Sequence, residues 1–104
     1  MFLKNFHLLL ESYFELMTTF KPLEIADIEI ITQMMRDFYV IDNYPMDVEV
    51  AKTLFQEFIS NEHLGKSWLI YSENEIVGYI ILTFIFSFEY GGKIAFVDEL
   101  FIKE

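Results

Sequence analysis

Cysteine is absent from the 104-residue chain, and there are only seven bases against 17 acids. Without a thiol the chain can form no disulfide, no thiolate metal site and no cysteine nucleophile, which is compatible with a reducing cytoplasm. The net charge of -10 disfavours nucleic acid and anionic membranes as partners, because both attract basic surfaces. A cationic partner such as an amine fits the sign, and plain solubility is the alternative reason for the acidity.

Long hydrophobic runs are also missing. The longest apolar run covers residues 76–88, which is short of the roughly 20 residues that a membrane-spanning helix needs. Its β-branched and aromatic residues favour a buried strand instead. The first 20 residues lack a small-residue cleavage site, so they are not interpreted as a signal peptide. With 54% hydrophobic residues, the chain has enough apolar surface for the core of one domain.

Hydrophobic periodicity predicts the order β-α-α-β-β-β. The two helices start at Asp27 and at Asp47, acids that suit a helix N-terminus. They are predicted to end near Val40 and near Ser60. Clusters of turn-forming residues separate the elements. The predicted strands cover residues 18–23, 67–72, 76–88 and 93–102.

Residues 1–16 are interpreted as an N-terminal extension of a domain that covers residues 17–104. Apolar residues recur there at helical spacing, which predicts an amphipathic helix that covers apolar surface. A start-like sequence, Met17-Thr18-Thr19-Phe20, supports the alternative of an upstream extension from a misplaced start codon.

Four segments together resemble the first half of the GNAT-type N-acetyltransferase fold. They are residues 38–47, the hairpin of residues 68–79 with its Val-Gly-Tyr sequence, residues 83–92, and residues 98–102. The resemblance implies an α+β half-fold in which two helices pack on a mostly antiparallel sheet. It also implies acetyl-CoA as cofactor, and direct acetyl transfer in a ternary complex to the primary amine of a small molecule or a peptide.

The chain departs from the family pattern after the fourth strand. The family continues into a loop of the form Arg/Gln-x-x-Gly-x-Gly/Ala, whose helix N-terminus binds the cofactor's pyrophosphate. Residues 1–104 contain no such loop, and the sequence ends at Glu104. A truncated chain, inactive by itself, is therefore expected. The alternatives are a non-catalytic half-domain that forms a homodimer through its exposed last strand, and a chain that assembles with a separately made second half.

Asp98 and Glu99 are the candidate catalytic residues. An amine must lose a proton before it can attack a thioester, and a carboxylate can take that proton directly or through water. Successive strand residues point to opposite faces, so a regular strand would present only one of the two acids to a cleft unless a bulge intervenes. The resemblance places the acceptor-facing carboxylate at Asp98. The alternative is that both acids cap an edge strand or pair with a lysine.

The resemblance implies two further sets of residues. The main chain of Leu100, Phe101 and Ile102 corresponds to the strand that pairs with the pantetheine arm. The acceptor amine would be bound by Tyr39, Asp42 and Tyr44, of which the last two lie in a turn and can reach outward. Packing in the helix core is the alternative for Tyr39. No metal site is predicted, because His7 and His63 lie far apart in sequence.

Overall fold

The computed structural model describes residues 18–103, which form one antiparallel sheet with two helices. The predicted order and the α+β class are confirmed; the helix predicted for residues 1–16 lies outside the described residues. Within residues 18–103, neither helix is long and apolar enough to cross a membrane. The elements are β1 (Thr18–Pro22), a 3-10 turn (Ile25–Asp27), α1 (Ile28–Ile41), α2 (Val48–Ser60), β2 (Gly65–Ser72), β3 (Glu75–Ser87) and β4 (Gly92–Ile102).

Both helices begin where their sequences provide a start. The Asp47 carboxylate accepts hydrogen bonds from the main-chain N–H groups of Glu49 and Val50, at 3.0 and 3.1 Å, and so satisfies two donors that lack a partner within α2. In front of α1, Asp27 accepts from the main-chain N–H of Glu24 and from Lys21. The acidic helix starts expected from the sequence are therefore present.

The core lies between the helices and one face of the sheet. That face contributes Leu69, Tyr79 and Ile81, and the opposite face carries the half-exposed side chains of Leu100 and Ile102. The apolar stripe of α1 faces the sheet because its residues recur at helical spacing. The buried members of the core cluster are Leu23, Ile28, Ile31, Met34, Met35, Phe55, Leu69, Tyr79 and Ile81.

The strands follow one another in chain order, so β1 and β4 form the two edges of the sheet. The β2–β3 hairpin turns at Glu73 and Asn74, both at positive φ, which suits the twist of a two-residue hairpin. At Gly78, an added Cβ would lie 2.0 Å from the Phe101 carbonyl oxygen. The close approach of β3 and β4 therefore requires glycine at this position.

The pairing of β3 with β4 shifts register near the end of β4. Ile81 pairs with Glu99 while Leu82 pairs with Val97, so Asp98 is the extra residue of a β-bulge. This irregularity determines where the two adjacent acids lie.

Candidate functional site

The bulge brings Asp98 and Glu99 to the same cavity. In a regular strand they would point to opposite faces, but here both line a cavity of about 370 Å³ next to the end of α1. A regular strand would have presented only one acid to the cavity, and the bulge is the exception that the sequence allowed. The structure places five of the predicted site residues together. The full lining is Phe38, Tyr39, Asp42, Tyr44, Asp98 and Glu99.

Two tyrosine hydroxyls hold the Glu99 carboxylate. The Tyr79 hydroxyl donates to Oε1 at 2.8 Å, and the Tyr39 hydroxyl donates to Oε2. Burial, followed by the hydrogen bond to Glu99, raises the pKa of both tyrosines well above the usual range. Both phenols therefore remain protonated donors at neutral pH.

The role of Tyr79 was missed from the sequence, where Val-Gly-Tyr is an ordinary hairpin pattern. Tyr79 is fully buried and pairs with Phe101, two residues beyond Glu99 on the same face of β4. A correct β3–β4 register would have revealed the contact, since diagonal neighbours on one face lie within reach of a long side chain.

The wall opposite the strand comes from the end of α1 and the loop behind it. The Tyr44 main-chain N–H donates to the Tyr39 carbonyl at 2.9 Å, and Asn43 takes positive φ, so the chain turns sharply after the helix. This turn brings Asp42 and Tyr44 to the cavity. The rings of Tyr39 and Tyr44 meet edge to face, with centroids 6.1 Å apart. The lining thus combines three carboxylates with three aromatic rings and contains no base.

A groove of about 650 Å³ runs along the outer edge of β4 beside the cavity. Phe101 faces the helices and stacks on Phe38, with ring centroids 5.1 Å apart. The groove contains the three residues predicted to contact the cofactor. Its lining is Asp37, Phe38, Ile41, Leu100, Phe101, Ile102 and Lys103.

The main chain of β4 presents unpaired groups to this groove. The Lys103 N–H donates to the Val77 carbonyl at 2.7 Å. Bonded and non-bonded positions alternate along an antiparallel pair, so the N–H and C=O groups of Leu100 and Ile102 point away from β3. Within residues 18–103, β4 is an edge strand, so a ligand with amide groups can pair there as an added strand would.

No family model matches the chain, and neither does any curated protein. Solved structures do match. An integron cassette protein from the mobile metagenome of the Cole Harbour salt marsh is 34% identical, with a TM-score of 0.76 over 81% of this chain and 55% of that chain. A protein described as a possible acetyltransferase from Clostridium difficile 630 is 13% identical, with a TM-score of 0.73 over 85% of this chain and 59% of that chain.

A third similar structure is a predicted acetyltransferase from Clostridium acetobutylicum, which was solved with acetyl-CoA. It is 13% identical, with a TM-score of 0.68 over 84% of this chain and 60% of that chain. The chain thus has a GNAT-like fold, and it spans somewhat more than half the length of these structures. The resemblance seen in the sequence is confirmed at the level of the fold.

Proposed function

We propose that the cavity and the adjoining β4 edge are the two sides of an acetyl-CoA-dependent N-acetyltransferase site. The observation that carries this proposal is the bulge at Asp98, which sets two neighbouring carboxylates beside an open strand edge in a GNAT-like fold. The acetyltransferase descriptions of similar structures support the same reading. The cavity takes the amine, and the groove takes the coenzyme.

The β4 edge fits the coenzyme by the chemistry of its free groups. Leu100 and Ile102 offer outward main-chain donors and acceptors, which suit the amide groups of a pantetheine arm. When bound, acetyl-CoA would supply a thioester acyl group. A neutral amine would attack its carbonyl carbon in a ternary complex, the C–S bond would break, and coenzyme A would leave as a thiolate that takes a proton from water. Lys103 and Asp37 also line the groove and carry opposite charges, so the main-chain groups of β4 are the main support for this assignment.

The residues that line the cavity suit the binding of an amine and the removal of its proton. Asp98 is exposed, and its carboxylate has no hydrogen-bond partner within residues 18–103, so it is free to accept a proton from the attacking amine. Asp42 and Tyr44 line the same cavity and can bind the amine by charge and by cation–π contact. The absence of a base from the lining favours a cationic acceptor, whether a small amine or a peptide amine.

Calorimetric titration of coenzyme A into the 104-residue chain tests the coenzyme side. We expect saturable binding in the micromolar range. Leu100→Pro should abolish it, because proline removes an outward N–H but no bond of the β3–β4 ladder. Val40→Thr is the control, because it changes an exposed residue outside the groove and should leave coenzyme A binding normal. Proline at the same position would break α1 and is unsuitable. A folded wild-type chain that shows no binding contradicts the proposal.

The exposed edge of β4 favours a second function, a non-catalytic half-domain that pairs with another copy of itself. Large apolar side chains along this strand are about half exposed, and its outward main-chain groups lack partners within the described residues. Such an edge is a template for strand pairing. A stable dimer without affinity for coenzyme A would favour this function over acetyl transfer. The exposed apolar residues of β4 are Phe96, Val97, Leu100 and Ile102.

A further inference from the structure

Glu99 and Asp98 differ in what holds their carboxylates. Each oxygen of Glu99 accepts a hydrogen bond from a different tyrosine, one on α1 and one on β3. A carboxyl group can accept at both oxygens without donating only when it is ionised. The Asp98 carboxylate is exposed and accepts no hydrogen bond in the part of the chain that the structure describes. The two adjacent acids are therefore not equivalent.

We propose that Tyr39 and Tyr79 are positioning residues, which hold Glu99 as a fixed anion for the ammonium form of the acceptor and leave proton removal to Asp98. This inference rests on the proposed acetyltransferase function and assigns different roles to its two acids. An anion that is already oriented can bind a cation without reorganising when the substrate arrives. The exposed neighbour can exchange its proton with water after each transfer.

The surroundings of the two tyrosines support this role. Tyr79 is fully buried against Phe101, with ring centroids 5.8 Å apart, and it does not line the cavity. Its hydroxyl can therefore affect a bound amine only through Glu99. Tyr39 lines the cavity and packs on Phe38, with ring centroids 5.9 Å apart. Glu99 is thus fixed from the sheet and from the helix, and its orientation depends on both.

The hydroxyls of Tyr39 and Tyr79 stay protonated at the pH at which an amine exchanges its proton. Burial raises the pKa of each phenol above its ordinary value, and the hydrogen bond to Glu99 adds to the effect. Neither tyrosine therefore competes with Asp98 for the proton.

The test is an NMR titration of the full 104-residue chain with cadaverine at neutral pH, without coenzyme A. The neutral diol of the same chain length serves as the uncharged probe. We expect cadaverine to bind, and Glu99→Gln, Tyr79→Phe and Tyr39→Phe each to weaken it about tenfold. Affinity for the diol should not change. Tyr71→Phe is the matched control, because Tyr71 is a partly buried tyrosine of the neighbouring strand that does not line the cavity.

A double-mutant cycle separates positioning from general damage. If Tyr79 acts through Glu99, adding Tyr79→Phe to Glu99→Gln should weaken cadaverine binding no further. Additive losses, an unchanged Tyr79→Phe variant, or a wild-type chain that does not bind cadaverine would each overturn the inference. Should Tyr79→Phe fail to fold, the cycle is run with Tyr39→Phe, and the affinity for the neutral diol shows whether the Tyr39 hydroxyl also contacts the ligand directly. Coenzyme A binding is measured in a separate titration, so a failure of the proposed acetyltransferase function can be distinguished from a failure of the inference about Glu99.

Discussion

At the scale of single residues, the two phenols that bind Glu99 predict how stability depends on pH. The pKa of Tyr39 and Tyr79 is raised in the folded state, first by burial and then by the hydrogen bond to Glu99. The folded chain therefore binds these protons more tightly than the unfolded chain does. Their stabilising effect is fully present below about pH 10, the pKa of an unperturbed tyrosine, and is lost as the pH rises further.

Urea unfolding measured between about pH 8 and about pH 11 checks this prediction, because the window spans the ordinary titration of tyrosine. The free energy of unfolding should fall at the alkaline end, and Tyr79→Phe should make that fall shallower. Tyr71→Phe is the matched control, because the Tyr71 hydroxyl has no hydrogen bond to Glu99. An identical slope in Tyr79→Phe and wild type would refute the assignment.

Replacing Gly78 with alanine should cause a steric clash where β3 and β4 meet. In Gly78→Ala the new Cβ would lie 2.0 Å from a backbone oxygen, so the strands must separate, with an expected loss of about 3 kcal/mol or more. Gly91→Ala is the comparison, because its Cβ would meet nothing within 4 Å and only the φ of +81° is unfavourable. That variant should lose about 1 kcal/mol. Chemical denaturation that finds equal losses would argue against the close approach.

At the scale of elements, the start of α2 depends on one side chain. Asp47→Ala leaves two main-chain N–H groups without their acceptor and should lower the free energy of unfolding by about 1 kcal/mol. Asp47→Asn should retain most of the stability, because an amide oxygen can cap the same groups. Thermal unfolding of both variants provides the measurement. Equal destabilisation by the two substitutions would show that charge, rather than capping, is the main contribution.

The elements themselves could be predicted from the sequence because their signals are local. Asp47 lies directly before α2, and the Glu73–Asn74 turn separates two strands whose pattern alternates. Each predicted strand and helix boundary lies close to its place in the structure. The resemblance to GNAT-type enzymes predicted the fold, and the structure brings Asp42, Asp98 and Glu99 to one cavity within it.

The bulge and the tyrosine contacts could not be predicted from local signals. Whether Asp98 is an extra residue depends on how β4 pairs with β3, which involves residues distant in sequence. The Tyr79–Glu99 bond spans 20 residues and the Tyr39–Glu99 bond spans 60. The hydrophobic periodicity of a single helix or strand cannot predict contacts between residues this far apart in sequence. The site therefore becomes visible only when the sheet register and the position of α1 are both known.

At the scale of the whole molecule, the β4 edge distinguishes the two proposed functions, because an edge paired with a second copy is not open to coenzyme A. If the half-domain pairs with itself, sedimentation velocity should show a dimer whose fraction grows with concentration, and Leu100→Lys should shift it to monomer, since a charge on an edge strand opposes pairing. Val40→Lys introduces the same charge at an exposed apolar residue of α1 and should leave association unchanged. Equal effects of the two variants would assign the association to net charge rather than to the β4 edge.

The central claim is that the cavity and the β4 edge together form one acetyl-transfer site. The most direct test is to map amide chemical-shift changes in the labelled 104-residue chain during titration with coenzyme A. Saturable changes are expected at Leu100, Phe101 and Ile102, and in the neighbouring cavity at Asp98 and Glu99. Changes that are absent, or that cluster on β1 and α2 instead, would contradict it.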